Sequence, residues 1–230
     1  MFHLKKNSDG SWSKHVLHQF LGRDSPAAGV VFGKDGILYG TTVDQTGNTG
    51  GTAFSLTPPG GSRHSWSHRG IYRFNGNAGF NLDTPLILRS GNLYGATAGA
   101  YDIGGTVFEP TPPVKKGALW NETTLYSFTG ESDESQPDGL FMDKTGNIYG
   151  ATFWGGLNIC NGPTSSCGVV FEISPQGTKW TEKALYDFTG KLDGSNPTGG
   201  VILGKDGALY GVTSGNDQES NLGTVFRVVP

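Results

Sequence analysis

Large and polar side chains alternate along much of this chain. In the segment from Trp120 to Phe128, the residues Trp120, Thr124, Tyr126 and Phe128 fall at even offsets, with Asn121, Thr123, Leu125 and Ser127 between them. A period of two is that of a β-strand, whose successive side chains point to opposite faces. The alternating runs are short and end in turn-forming residues, as in Lys34-Asp35-Gly36 and Lys144-Thr145-Gly146-Asn147. Such runs predict many short antiparallel strands joined by hairpins.

The runs repeat. Leu38-Tyr39-Gly40-Thr41-Thr42 returns as Leu93-Tyr94-Gly95-Ala96-Thr97, Ile148-Tyr149-Gly150-Ala151-Thr152 and Leu209-Tyr210-Gly211-Val212-Thr213, its tyrosines 55, 55 and 61 residues apart. Gly51 to Phe54 is echoed at Gly105 to Phe108, Gly168 to Phe171 and Gly223 to Phe226. A Trp with a Phe eight residues later occurs as Trp12/Phe20, Trp66/Phe74, Trp120/Phe128 and Trp180/Phe188. A fourth segment follows Pro26, Pro85, Pro137 and Pro197. Each unit therefore holds four strands, called here A (after Pro), B (Leu-Tyr-Gly), C (Gly-Thr-x-Phe) and D (Trp to Phe), the pattern of a β-propeller blade.

The fold expected is all-β: a single propeller domain over 1–230, of four blades with four antiparallel strands each. The units run over about 21–74, 75–128, 129–188, and 189–230 completed by 1–20. The chain starts just before a D segment, Trp12 to Phe20, and stops after a C segment, Gly223 to Val228. Pairing those two would complete the fourth blade and leave no free edge. Met1-Phe2-His3-Leu4 resembles a further C strand, which a closed ring of four does not need and a longer array would supply. The periodic aromatic residues are expected to pack one blade against the next.

Composition sharpens this picture. Of 230 residues, 38 are Gly and 12 Pro, which excludes long amphipathic helices. No apolar run reaches the length of a membrane span. Lys plus Arg is 17 against 20 Asp plus Glu, a net charge of −3 with no basic block, which argues against a nucleic-acid partner. The first ten residues hold Lys5 and Lys6 without an apolar stretch after them, so any export signal lies outside this sequence.

The Leu-Tyr-Gly-x-Thr repeat, Gly-Thr-Val-Phe at Gly105 to Phe108, Leu-Tyr-x-Phe at Leu125 to Phe128 and Leu185 to Phe188, and Asp-Gly-x-x-Pro at Asp193 to Pro197 resemble the GloVer tandem repeat. That resemblance covers nearly the whole chain. It implies a bacterial, extracellular, propeller-like array, and it implies no chemistry, because the family carries no catalytic motif to transfer.

Strand direction places the B–C and D–A connections on one face. The B–C loops are long and unlike one another (43–50, 98–104, 153–167 and 214–222), and variable loops on a rigid scaffold are where binding resides. Asp24, Asp83, Asp133, Glu134, Asp138, Asp193 and Asn196 are expected on the same face, near the channel mouth. They suit either a ring of oxygen ligands for Ca²⁺ or, more simply, the capping of tight turns. Tyr101 and Trp154 stand outside the repeat on this face and suit sugar stacking or local cover for their own loops. Cys160 and Cys167 share the longest loop and suit a disulfide better than a two-cysteine zinc site. His15, His18, His64 and His68 fall on or near D strands and read as packing.

Two functions follow as expectations. The leading one is an extracellular binding or interaction module that engages a glycan or protein through the long-loop face, with self-association through the N-terminal strand as a further partner reading. The alternative is a hydrolase or lyase, metal-assisted or not, built on the carboxylates at the channel mouth, for which no nucleophile elbow or zinc helix is present in the sequence.

Overall fold

The alternating segments do fold as strands. The computed structural model describes residues 1–22, 24–44, 50–62, 64–75, 81–82, 84–99, 104–115, 118–130, 135–160, 166–215 and 223–230. β1 (Phe2–Lys6) and β2 (Trp12–Val16) form a hairpin. Sheet I follows, its A strand broken into β3 (Asp24–Pro26) and β4 (Val31–Phe32), both paired with β5 (Leu38–Asp44), then β6 (Gly51–Thr57) and β7 (Ser67–Phe74). Sheet II is β8 (Ile87–Arg89), β9 (Asn92–Ala98), β10 (Gly105–Thr111) and β11 (Asn121–Ser127). Sheet III is β12 (Ser135–Met142), β13 (Ile148–Trp154), β14 (Val169–Gln176) and β15 (Lys179–Asp187). Sheet IV has β16 (Pro197–Leu203), β17 (Leu209–Thr213) and β18 (Val225–Val228).

All the pairings are antiparallel, in the order A-B-C-D within each complete sheet. The A strands of neighbouring sheets touch one another, β4 with β8, β8 with β12 and β12 with β16, which places them innermost. The only helical turn among the described residues is a short 3-10 turn at Lys34–Gly36.

Two motif glycines are explained by what lies against them. A Cβ on Gly40 would come within 2.7 Å of the Phe54 ring, and one on Gly95 within 2.6 Å of the Phe108 ring; Gly150 meets Phe171 and Gly211 meets Phe226 in the same way. The Gly of Leu-Tyr-Gly is therefore the floor on which the C-strand Phe of the same sheet lies. Gly51, Gly105, Gly168 and Gly223, which lead into the C strands, have φ of 92°, 97°, 89° and 91°. That region is open to glycine and strained for other residues. A Cβ at any of the four would also strike the carbonyl of the B-strand Thr opposite.

Those threonines also bond across the B–C pair. The hydroxyls of Thr42 and Thr52 lie 2.6 Å apart, those of Thr97 and Thr106 2.9 Å, and those of Thr213 and Thr224 3.0 Å. In sheet III, where Val169 replaces the second Thr, its N–H still donates to Thr152 Oγ1 at 3.2 Å, as those of Thr106 and Thr224 do to Thr97 and Thr213. Buried hydroxyls so paired avoid the desolvation cost that an unbonded one incurs.

Adjacent sheets are joined by phenylalanine pairs. The Phe closing each D segment packs on the C-strand Phe of the next sheet: Phe74 on Phe108 at 4.7 Å, Phe128 on Phe171 at 5.3 Å and Phe188 on Phe226 at 5.0 Å. Around each pair lies one apolar cluster, so the core is divided into layers between the sheets.

Three expectations are corrected. First, β2 pairs with β1 and not with β18, so the N-terminal and C-terminal strands do not close a ring and sheet IV has three strands. The local hairpin Asn7–Ser11 brings β1 and β2 together with little loop to order, and this competes with a long-range pairing. Second, the strict alternation in the D segment fails at Leu125. The register shifts there, because Val107 opposes Tyr126 and Phe108 opposes Thr124, leaving Leu125 as a bulge residue. Leu125 thus joins the same cluster as Phe128. The same bulge recurs at Ile71 and Leu185. Third, Trp12 does not pack between sheets as Trp66, Trp120 and Trp180 do; it is exposed.

The segment after β2 still behaves as a D strand would. Phe20 packs on Phe54 at 5.0 Å, and Met1 and Leu17 join it over Leu38 and Leu56. His18 stacks on His68 at 4.5 Å.

Two measurements test this architecture. Gly95→Ala should lower stability by about 1–3 kcal/mol through overpacking against Phe108. Gly70→Ala, where a Cβ meets nothing within 4 Å, should change it by less than about 1 kcal/mol. Equal shifts in the urea midpoints of the two variants would remove the ring-on-glycine contact as the constraint.

The stacked histidines generate the second. Burial lowers the pKa of His18, with the N-terminal ammonium adding to it, and burial lowers that of His68, with His18 adding to it and Asp24 opposing. Below the ordinary value of 6.5 the unfolded chain therefore binds more protons than the fold does. Stability should be complete above that pH and fall as pH drops through the lowered folded values. Melting temperatures taken between about pH 7.5 and pH 5 should fall further for the parent chain than for His68→Phe, and parallel curves would contradict the assignment.

Candidate functional site

The described B–C and D–A segments of sheet III form one connected corner. β13 ends at Trp154, and the chain then turns through Gly155 and Gly156, whose φ values are 104° and 86°. A disulfide joins Cys160 to Cys167, and Ile159 bridges Ser166 just inside it. Gly155 N–H donates to Ser166 Oγ at 2.5 Å, and Leu157 N–H donates to Asp187 Oδ1 at 3.1 Å. Cys160 lies directly over Gly190, where no side chain would fit. The long loop is thus fastened both to itself and to the turn that follows β15.

Asn196, expected near the channel mouth, is buried and ties sheet III to sheet IV. Its φ is 55°, a left-handed conformation that Asn tolerates. Its Nδ2 donates to the Phe153 carbonyl at 2.9 Å and its N–H donates to the Cys167 carbonyl at 2.7 Å. In return its carbonyl accepts from the N–H and the hydroxyl of Ser214, each at 3.0 Å. Pro197, next in the chain, sits against Gly168.

The carboxylates take separate posts. Asp193 closes the D–A turn, accepting from Thr189 N–H at 2.8 Å, the Thr189 hydroxyl at 2.5 Å, Lys191 N–H at 3.2 Å and the Tyr186 hydroxyl at 3.0 Å. Burial opposes its charge, yet these donors hold its carboxyl below the usual carboxylate value. A general acid needs the opposite shift. Asp138, in β12, accepts from Gly199 N–H of the neighbouring A strand at 2.7 Å. Asp24 faces Arg73 at 3.6 Å in a groove of about 450 Å³ that His68, Tyr72 and Trp120 also line. Among the described residues no three His, Cys, Asp or Glu side chains gather where they could hold one metal ion. Asp83, Tyr101, Asp133 and Glu134 lie outside the described residues.

Trp154 is half-buried, as Trp120 is. Their partners differ: Trp120 packs across sheets on Tyr39 at 5.9 Å, whereas Trp154 rests its edge on its own neighbour Phe153 at 4.7 Å. Two residues that the motif search passed over stand out on this corner. Leu157 is 84% exposed and Ile159 is exposed as well. The signal available was aliphatic residues within the glycine-rich run Gly155-Gly156-Leu157-Asn158-Ile159.

No match is found among curated proteins. A solved luciferin-regenerating enzyme superposes with a TM-score of 0.52 at 18% identity, over 88% of this chain and 60% of that one. The chain thus spans about three fifths of the length of that structure. At this identity the likeness concerns the fold alone, and it supports the propeller-like arrangement of antiparallel sheets. No helix among the described residues is long and apolar enough to cross a membrane. Residues 119–230 match the model of the Gloeobacter/Verrucomicrobia repeat. The motifs of that region recur in sheets I and II with the same phenylalanine pairs and motif glycines, and residues 119–230 carry the GloVer-type repeat.

Proposed function

We propose that this protein is a binding or interaction module that works outside the cytoplasm, and that its ligand, a protein or a glycan, rests on the long-loop face around Trp154. The observation that carries this reading is the fastened loop of sheet III. Leu157 and Ile159 are held out to solvent on the segment leading into the disulfide at Cys160, with Leu157 N–H clamped to Asp187 at the end of β15. Aliphatic residues grouped beside an aromatic ring offer a partner a contiguous apolar contact, and a loop already rigid loses little entropy when it binds. A structural disulfide suits an oxidising compartment.

The described carboxylates give the module reading further support. Both oxygens of Asp193 accept from donors in or beside its own turn, and Oδ2 of Asp138 accepts from Gly199 N–H of the neighbouring A strand, which is the work of turn and strand fastening. The half-buried Trp154 ring adds a stacking surface beside the aliphatic pair, suited to a sugar ring at the margin of a larger contact.

Binding measured on a glycan array and on immobilised surface proteins tests the reading. Trp154→Ala should weaken the interaction by about 1–3 kcal/mol, the scale of a hot-spot aromatic, or roughly 5- to 150-fold in Kd. Its melting temperature should stay near that of the parent, while Trp120→Ala, which loses the contact to Tyr39, melts clearly lower. Two results would sink the proposal: an interaction unaffected by Trp154→Ala, or release of cleaved product from an arrayed glycan.

A further inference from the structure

The groove beside β7 is built in part from residues that the repeat does not call for. It encloses about 450 Å³, within the range of small-ligand clefts, roughly 300–1,000 Å³. One wall is β7 itself from Gly70 to Arg73, and the other is Leu119 and Trp120, which lead into β11. Two bonds hold the walls together: Arg69 Nη2 donates to the Ala118 carbonyl at 2.8 Å, and the Tyr72 hydroxyl donates to Glu122 Oε2 at 3.5 Å. Aligned on Trp66, Trp120 and Trp180, the D strands place His68, Gly70 and Arg73 where sheet II has Glu122, Thr124 and Ser127 and sheet III has Glu182, Ala184 and Asp187. His68, Gly70 and Arg73 all line the groove. Above Gly70 the space is open, since a Cβ there meets nothing within 4 Å.

Asp24, which also lines this groove, brings an unmet demand. Its Oδ2 faces Arg73 Nη2 at 3.6 Å, longer than a hydrogen bond. Its Oδ1 is buried and accepts from no donor among the described residues. A buried acceptor left in this way costs stability until something donates to it. Arg73 presents the complementary case, because its side chain is 59% exposed and a guanidinium only donates. The groove therefore offers an acceptor and a set of donors side by side, with the half-buried Trp120 ring, Tyr72 and the exposed Leu119 as apolar surface.

We propose that this groove binds a neutral sugar unit, as a second ligand site apart from the long-loop corner of sheet III. A hydroxyl both donates and accepts, so neighbouring hydroxyls of one sugar ring serve Asp24 Oδ1 and Arg73 together. An anion would bring acceptors alone and would face the Asp24 carboxylate, and a cation would face the Arg73 guanidinium. The apolar C–H face of the ring then lies against Trp120 and Tyr72. The substitution of Gly for the Thr of sheet II clears the space that such a ring needs.

The test is a titration of the nitrogen-15-labelled chain with maltose, cellobiose and lactose, followed by its amide and indole resonances. At least one of these sugars should give saturable shifts at the amides of Gly70, Tyr72 and Arg73 and at the Trp120 indole. Asp24→Ala and Arg73→Gln should each raise the Kd about tenfold or more. Gly70→Thr fills the open space with the residue that sheet II carries there, and a β-branched side chain suits a strand. It should abolish binding without lowering the melting temperature; if it does lower it, the exposed Arg73→Gln decides. Trp154→Ala should leave this Kd unchanged, so that failure here and failure of the long-loop reading are separate results. Absence of saturable shifts with all three sugars overturns the proposal, as do shifts confined to the corner around Trp154 or a Kd that neither Asp24→Ala nor Arg73→Gln alters. Inorganic sulfate that reproduces the same shifts also overturns it, since the groove would then be an anion site.

Discussion

One contact sets the spacing of this molecule: the phenylalanine that closes a D strand lying on the C-strand phenylalanine of the next sheet. Burying an aromatic ring of this size is worth on the order of 2–3 kcal/mol. The pair also fixes how close two sheets come and at what angle their strands meet. Much of the repeat follows from it. The C-strand ring needs a flat floor, so the B strand carries Gly beneath it, as at Gly95 under Phe108. The D-strand ring must reach forward, and the bulge at Leu125 turns both Leu125 and Phe128 into the same layer. The motifs Leu-Tyr-Gly-x-Thr, Gly-Thr-x-Phe and Leu-Tyr-x-Phe are three views of one layer of packing.

How much of this could be read from the residues depended on the range of the interaction. The repeat, the A-B-C-D strand order in sheets II and III and the Cys160–Cys167 disulfide follow from local pattern, and the structure contains them. The bulge was hidden, because one extra residue in a strand leaves no mark on composition and inverts the face of those that follow. The end pairing was missed for a different reason. Trp12 to Phe20 has a D-strand sequence, yet a strand pairs with whatever edge is nearest, and the turn through Asn7 and Gly10 delivers β1 first.

The expected site was legible only in outline. Its residues were placed on one face because strand direction alternates, but a list of Asp and Asn cannot show which backbone donors they will meet. Asp193 meets the turn at Thr189, Asp138 meets Gly199 and Asn196 meets Phe153 and Cys167. Each is local or reaches only the adjoining sheet, so these side chains bind the scaffold together. The binding surface we propose rests instead on Trp154, Leu157 and Ile159, which exposure and the hydrogen bond from Leu157 to Asp187 single out and no motif does.

The phenylalanine pairs connect only neighbours, and the three interior junctions use the same residue types at nearly the same separation. A whole unit of about 55 residues could be duplicated or deleted in the gene. The new junction would again set a D-strand Phe on a C-strand Phe above a glycine, with no compensating change needed elsewhere. An array built this way changes length in steps of one unit while every core it contains stays the same. The loops bear none of this constraint, so a copied unit is free to diverge at its B–C connection, where sheet III has acquired its disulfide.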